Sequence, residues 1–158
     1  MSLHRRAVRV HLRGGLTLRG RVHVAEGQSL CGFLSAGRFF LNLTEVRRED
    51  DEEDEELPHL SVRLRQIVWV EPLDPALRLS SAAVASEETR SIELHLEGGH
   101  QLQVELNVSS ETRMSDYLDA NPWFIPLWYV RVLGEEQVVE RVALNHFAIL
   151  TIREVEPA

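Results

Sequence analysis

The sequence predicts a mainly β protein, built as two tandem five-stranded small β-barrels with a short helix between the second and third strands of each. Three observations predict this fold. Residues 8–46 align with residues 92–130 at a constant offset of 84, without a gap. Apolar and polar residues alternate along much of both copies, which is typical of half-buried strands. Adjacent glycines, Gly14-Gly15 and Gly98-Gly99, stand at the same place in each copy.

The matched positions of the repeat are mostly apolar or glycine, whereas the positions that differ mostly carry charge. The repeat therefore maintains a fold while its surface has changed. Because a unit of roughly 70 residues is near the lower limit for an independent core, we expect the two units to pack on each other. We predict a first unit at residues 1–72, a linker at 73–90 and a second unit at 91–158.

The first two strands of each copy are predicted to form a hairpin around the paired glycines. Apolar and polar residues alternate over 8–12 and again over 16–24. Facing residues of an antiparallel ladder share one face of the sheet, so apolar residues must pair with apolar residues. A three-residue loop, Gly14-Gly15-Leu16, meets this condition because it pairs Leu12 with Leu18. The second copy predicts the same register.

This register sets like charges against each other. It places Arg9 opposite Arg21 in the first copy and Glu93 opposite Glu105 in the second. Directly opposed like charges destabilise a strand pair. Each hairpin is therefore expected to need a partner of opposite sign.

A short helix is predicted after the second strand of each copy. In the second copy it spans 112–120, is capped by its first residue and carries apolar residues at helical spacing. In the first copy the matching segment, 28–36, is a weaker helix because Gly32 interrupts it. A third strand follows at 39–46 and at 123–132.

After the third strand the two copies diverge and then match again. The first copy inserts the acidic run 49–56, which repels itself and is predicted to be a mobile loop. The copies match again from 62–70 onto 142–150, at an offset of 80, which predicts a strand, a one-turn break and a last strand. Within the linker, residues 76–90 are compatible with a marginal helix.

Charge divides the chain into a basic half and an acidic half, although the whole chain carries −8. Residues 1–48 hold nine Arg against two Glu, whereas residues 91–158 hold four Arg against eleven acidic side chains. The candidate partner-binding residues are the charged side chains expected on the outer faces of the hairpins. They form an arginine face (Arg9, Arg13, Arg19 and Arg21) and a glutamate face (Glu93, Glu97 and Glu105).

Two oppositely charged barrel faces favour a non-enzymatic protein-interaction or scaffold module. The arginine face is expected to meet an acidic surface: the glutamate face of another copy, the run 49–56, or an external polyanion. A protein partner or a second copy of the chain is therefore the predicted partner. Such charge complementarity sets the register and the rate of association more than the affinity.

Each unit is predicted as a hairpin, a third strand, a variable polar loop, a fourth strand, a short turn and a fifth strand. This order resembles the Sm-like barrels of the SH3-like group, whose first motif matches residues 8–24 and whose second motif matches 62–70. The segment from the second helix to the following strand is also similar to an uncharacterised bacterial domain family. Sm-like proteins bind RNA through an acidic-x-x-Met-Asn segment and an Arg-Gly turn. Ala25-Glu26-Gly27-Gln28-Ser29 replaces the first here, and Leu64-Arg65-Gln66 and Leu144-Asn145-His146 replace the second, so the resemblance does not imply RNA binding.

The alternative function is nucleic-acid binding, with RNA on the arginine face of the first unit. An RNA site usually adds exposed aromatic side chains to its basic patch, for base stacking. Most of the aromatic residues of the first unit, Phe33, Phe39, Phe40 and Trp69, fit core positions instead. The negative net charge also opposes non-specific binding to phosphate.

Catalytic, metal and cofactor sites are not predicted. The strand histidines lack Cys or carboxylate companions at ligand spacing, and no P-loop, nucleophile elbow or His-Glu-x-x-His motif is present. Cys31, the single cysteine, is expected to be a buried thiol. The absence of a long apolar run and of a disulfide pair favours a cytoplasmic protein without membrane contact. A small-molecule pocket lined by Trp123, Trp128 and Tyr129 is a further alternative.

Overall fold

The computed structural model describes residues 3–49, 55–81, 86–121 and 123–156, and these residues form ten strands and two α-helices. The first copy contributes five strands and one helix: β1 (Leu3–Leu12), β2 (Thr17–Ala25), α1 (Leu30–Leu34), β3 (Phe40–Arg48), β4 (Leu57–Arg63) and β5 (Ile67–Pro72). The second copy contributes the same set: β6 (Thr89–Leu96), β7 (Gln101–Asn107), α2 (Met114–Asp119), β8 (Phe124–Val132), β9 (Gln137–Asn145) and β10 (Ile149–Val155).

The helices lie between the second and third strands of each copy, as predicted, but the number of helical segments was wrong. Single 3₁₀ turns at Leu64–Gln66 and His146–Ala148 raise the count in the described residues from two to four. Such short turns redirect the chain abruptly between two strands. The predicted linker helix does not form in the described part of 76–90, whose residues 82–85 lie outside the described chain.

Both hairpins turn one residue earlier than predicted. The Leu12 amide donates to the Leu16 carbonyl at 2.8 Å, so the loop is Arg13-Gly14-Gly15. Both glycines have φ near +90° and Arg13 does not, so the glycines take the last two places of the loop. Val10 therefore lies opposite Leu18, and the second hairpin has the equivalent register. The shift amounts to two residues in the ladder, so every side chain keeps its predicted face.

The two copies do not form two closed barrels, contrary to the prediction. All strands lie in one open antiparallel sheet with the order β10-β6-β7-β8-β9-β5-β1-β2-β3-β4. Closing a copy would require its fourth strand to pair with its fifth. Instead β5 pairs with β9 of the other copy, with Trp69 opposite Leu144 and Val70 opposite Ala143.

The two copies also exchange core side chains where β5 meets β9. Phe124 and Ala143 of the second copy pack in the core of the first, whereas Val68 and Trp69 of the first pack in the core of the second. We call this contact, the β5–β9 pairing with these four residues, the inter-repeat seam. Fully burying one large apolar side chain stabilises a fold by about 2 kcal/mol, which favours the shared sheet over two separate small barrels.

The first half of the predicted linker packs on the first copy. Leu77 and Leu79 are buried in its core, and the Arg78 and Leu79 carbonyls accept hydrogen bonds from the first two amides of α1. Arg141 of β9 donates to the Asp74 and Leu77 carbonyls of this segment and to the carbonyl of Pro72 at the end of β5. The segment covers Cys31, whose thiol is buried as predicted, and burial raises the pKa of that thiol to about 12.

Candidate functional site

The arginine face lies on β1 and β2, and a carboxylate separates its closest pair of guanidinium groups. Arg9 lies opposite Arg19 rather than opposite Arg21 as predicted, because the hairpin turns one residue earlier. Glu49 relieves the repulsion: its carboxylate lies 2.8 Å from the Nε of Arg9 and 3.1 Å from the Nε of Arg19. The first residue of the acidic run thus binds the basic hairpin, while residues 50–54 lie outside the described chain.

Arg21 pairs with a different carboxylate, that of Glu45, which lies at a β-bulge. The Nε of Arg21 lies 2.7 Å from Glu45, and Arg5 approaches the same carboxylate to 3.3 Å. Glu45 has φ of +52° and sits where the pairing of β2 with β3 shifts register. Such bulges change the direction in which a side chain points. Tyr129, the matching residue of the second copy, has φ of +53° and is exposed on β8.

The tips of the two hairpins meet across the inter-repeat seam. Arg13, at the tip of the first hairpin, forms an ion pair with Glu97, at the tip of the second. These two residues occupy the same position of the repeat, so equivalent tips of opposite charge are in contact. The structure therefore brings one residue of the arginine face and one of the glutamate face together within a single molecule.

The other two residues of the glutamate face, Glu93 and Glu105, do not lie opposite each other. Glu93 accepts hydrogen bonds from Arg153 at 2.9 Å and from His95 at 3.2 Å, and the Arg153 hydrogen bond lowers the pKa of Glu93 below its usual value. Glu93 lies opposite Gln103, and Glu105 is exposed and lies opposite Ser91. The predicted pair of facing glutamates is therefore not formed.

A buried carboxylate that the sequence analysis did not single out organises the inner side of the arginine face. Glu71 on β5 accepts hydrogen bonds from His11 and, at 3.3 Å each, from the Nε1 of Trp69 and the Nη1 of Arg9. Burial acts to raise the pKa of Glu71, but the hydrogen bond and charge of His11, with the help of Trp69 and Arg9, outweigh burial and leave that pKa lowered.

A cavity of about 230 Å³ adjoins this carboxylate at the inter-repeat seam. The centroid of the His11 ring lies 4.3 Å from that of Trp69, and the ring centroid of His100 of the second copy lies 5.1 Å from that of Trp69 in an edge-to-face arrangement. Glu135 and Gln137 complete the polar part of the lining. The cavity combines aromatic, basic and acidic groups from both copies.

The aromatic residues considered for a small-molecule pocket are not gathered around one space. Trp123 packs against the core of the first copy and donates from Nε1 to Asn145 at 2.8 Å. Trp128 and Tyr129 are exposed on β8. Trp123 therefore lies at the contact between the two copies, whereas Trp128 and Tyr129 lie on the outer surface.

Two acidic partners of the arginine face were not predicted, Glu45 and Glu71, whereas Glu49 belongs to the run 49–56 that was one of the predicted partners. A signal existed for Glu71, because it is the single charged residue of the apolar strand 67–72. An isolated acid in such a strand needs a partner if it is buried. No comparable signal marked Glu45, since its direction depends on a bulge that forms only when β2 and β3 pair.

We expect Glu71→Gln to lower the free energy of unfolding by about 2 kcal/mol at about pH 7, because the buried negative charge and one of its two acceptor oxygens are lost. The folded pKa of Glu71 is lowered, so its carboxylate stabilises the fold above the unfolded pKa of about 4.3. That contribution disappears as the pH falls through the folded pKa. Urea unfolding across this range should show the wild-type and variant stabilities converging at acidic pH.

The exposed Glu105→Gln is the matched control for this measurement. It removes one carboxylate from the surface and is expected to change the free energy of unfolding by less than about 0.5 kcal/mol. A Glu71→Gln deficit that stays constant from neutral to acidic pH would contradict the proposed ionised pairing.

Within the described residues, no three His, Cys, Asp or Glu side chains are grouped so that they could hold a metal ion. None of the helices in the described parts of the chain is long and apolar enough to cross a membrane. Comparisons with models of protein families, with curated proteins and with solved structures found no match to this chain.

Proposed function

We propose that this chain is a non-enzymatic protein-interaction or scaffold module that self-assembles through its oppositely charged faces. The observation that carries the proposal is the ion pair of Arg13 with Glu97, which joins the two copies of the repeat at equivalent positions. Two identical copies would bring two arginines or two glutamates together at this place. The opposite charges therefore favour contacts between unlike copies and disfavour contacts between like copies.

Parts of the arginine face remain available to a second molecule. The side chains of Arg19 and Arg21 are 54% and 47% exposed, although Glu49 and Glu45 each hold one side of a guanidinium. A guanidinium has five N–H donors, so one carboxylate leaves donors for another. An acidic protein surface, such as the glutamate face of another copy, matches these donors.

The alternative of RNA binding on the same face receives less support. Carboxylates lie within 3.3 Å of Arg9, Arg19 and Arg21, where phosphate groups would have to bind. Of the four aromatics of the first copy that were expected mostly in the core, Phe33 and Trp69 are buried, whereas Phe39 and Phe40 are exposed. The aromatic residues therefore do not decide against base stacking, and the carboxylates beside the arginines are the evidence against RNA. The resemblance to Sm-like barrels stays a prediction and adds no RNA-binding motif.

We expect the wild-type chain at low salt to sediment as a species heavier than its 18.1 kDa monomer. The double variant Arg19→Glu/Arg21→Glu should shift this distribution toward the monomer, because like charges then face each other. Raising the salt from about 50 mM to about 500 mM should weaken wild-type assembly, since exposed charges are screened. Arg9 is left unchanged because it pairs with the buried Glu71.

The control is Arg113→Glu/Arg131→Glu, which makes the same change in net charge at two exposed residues away from the arginine face. It should assemble as the wild type does. A wild-type chain that is monomeric at both salt concentrations overturns the proposal. Equal loss of assembly in the two double variants would assign the effect to net charge rather than to the arginine face, and would also overturn it.

A further inference from the structure

We propose that molecules of this chain join head to tail by pairing strand β4 of one molecule with strand β10 of the next. The proposal rests on the self-assembly proposed above and adds backbone pairing at the two sheet edges to the charge complementarity of the arginine face. It follows from the internal repeat. The inter-repeat seam pairs the fifth strand of the first copy with the fourth strand of the second, and the equivalent fifth and fourth strands stand at the two ends of the sheet.

The ends of the sheet have the backbone groups needed for such pairing. In the described chain β10 pairs with β6 alone and β4 pairs with β3 alone, so each leaves one edge unpaired. An unpaired edge exposes N–H and C=O groups that can bind another strand. Pro58 obstructs the beginning of β4, but the seam uses Ala143 and Leu144 at the end of β9. Ala143 matches Arg63, the last residue of β4, and Leu144 matches Leu64, the buried first residue of the 3₁₀ turn that follows.

Two side chains buried at or beside the seam have exposed counterparts at the free edges, whereas Ala148, the counterpart of Val68, is itself buried. Phe124 is 0% exposed in the core of the first copy, whereas its counterpart in the repeat, Phe40, is 47% exposed. Val70 is 0% exposed on β5, whereas its counterpart Leu150 on β10 is 60% exposed. The same apolar contact is thus made once inside the chain and left unmade at both ends.

One polar contact of the seam also has its counterpart at the free ends. The Phe124 amide donates to the Ser35 hydroxyl, at the end of α1, at 3.1 Å. The residue of the second copy that matches Ser35 is Asp119, at the end of α2, and its side chain is exposed. In the proposed junction the Phe40 amide of one molecule would donate to the Asp119 carboxylate of the next.

Charge supports the same arrangement. In the proposed junction the second copy of one molecule takes the place that the first copy has at the seam. Arg13 of one molecule would then approach Glu97 of its neighbour. Because both side chains already pair within each molecule, the guanidinium would use its remaining N–H donors to bind a second carboxylate across the junction. A junction between like edges would bring equal charges together. The contact is heterologous, so it continues from molecule to molecule and closes into a ring or extends as a filament.

The test uses one charged substitution at each end of the sheet. Phe40→Glu introduces a charge beside the β4 edge, and Leu150→Glu introduces one on the β10 edge. Each variant alone lacks one of the two surfaces that every junction needs, so each should sediment at the 18.1 kDa of one chain. A mixture of both variants retains one complete pair of surfaces, and should form a dimer of twice that mass and nothing larger.

The matched control is Val138→Glu, which places the same charge at an exposed apolar residue of the inner strand β9. It should assemble as the wild type does. Formation of the mixed dimer also shows that both edge variants are folded. Circular dichroism spectra that match the wild type should confirm this for each variant alone.

The possible results separate this inference from the function on which it rests. A monomeric wild type overturns the proposed self-assembly, and the junction with it. If the wild type assembles and the edge variants assemble equally well, the β4–β10 junction is overturned but the proposed self-assembly is not. Monomeric edge variants whose mixture also stays monomeric overturn the head-to-tail arrangement, because complementary edges are then present and do not pair.

Discussion

Replacing Phe124 with alanine is expected to lower the free energy of unfolding by about 4 kcal/mol, as large-to-small substitutions of buried aromatic residues do. Phe124 is fully buried, and although it belongs to β8 of the second copy it packs in the core of the first. The substitution removes apolar contacts from the inter-repeat seam and leaves a cavity there. Urea unfolding measured where the chain is monomeric gives the loss directly.

The repeat supplies the control for this measurement. Phe40 occupies the same position in the first copy but is about half exposed, so Phe40→Ala should cost less than about 1 kcal/mol. Equal losses for the two substitutions would show that Phe124 does not act through the seam. Phe40→Ala reduces the exposed apolar surface, so we do not expect this variant to aggregate and disturb the comparison.

Replacing Asn145 with leucine is expected to lower the free energy of unfolding by about 3 kcal/mol, because it leaves buried polar groups without partners. Asn145 is fully buried. Its Nδ2 donates to the Ile67 carbonyl at 2.8 Å, and its Oδ1 accepts from the Nε1 of Trp123 at 2.8 Å and from the Phe147 amide at 3.0 Å. Leucine has a similar volume but satisfies none of these groups.

Asn42 provides the matched control for Asn145. It is exposed on β3 and accepts one hydrogen bond from Ser61 at 2.7 Å, so Asn42→Leu should change the free energy of unfolding by less than about 1 kcal/mol. If Asn145→Leu were as mild, the hydrogen bonds of Asn145 would not be what holds the first copy to the second.

The residue that matches Asn145 in the first copy is Arg65, which is exposed. The seam inside the chain therefore has a buried amide that the proposed junction between molecules lacks. Arg63 also replaces the small Ala143 at the free edge. In addition, the linker keeps the two copies at a high effective concentration, which separate molecules do not have. We therefore expect the internal seam to be permanent and the junction between molecules to depend on protein concentration.

The local elements of the fold were predictable because their signals lie within a few residues of sequence. Alternation marked the hairpin strands, and the glycine pairs marked their turns. The helices were placed between the correct strands. The position of the turn was wrong by one residue because alternation has a period of two and fits equally well after a shift of two residues in the ladder. The hydrogen bond from the Leu12 amide to the Leu16 carbonyl, with positive φ angles at Gly14 and Gly15, identifies the register that forms.

The candidate site was predictable in part. The residues of both charged faces were identified from their positions on the hairpins, but their partners were identified only in part. The run that begins with Glu49 was one of three predicted partners of the arginine face, whereas Glu71 was passed over as part of an apolar strand. Each pairs with arginines that are 30 or more positions away in the chain. Such contacts follow from strand pairing, which no local pattern in one sequence determines.

By itself, the sequence determined that this protein is two copies of one mainly β unit with surfaces of opposite charge. Apolar periodicity and glycine positions encode these features locally. Only the tertiary structure decided that the units share one open sheet and exchange Phe124 and Trp69 across the inter-repeat seam. The physical reason is that a fifth strand can pair with either of two similar fourth strands. The choice between them depends on how much apolar surface each arrangement buries, which is a property of the packed chain.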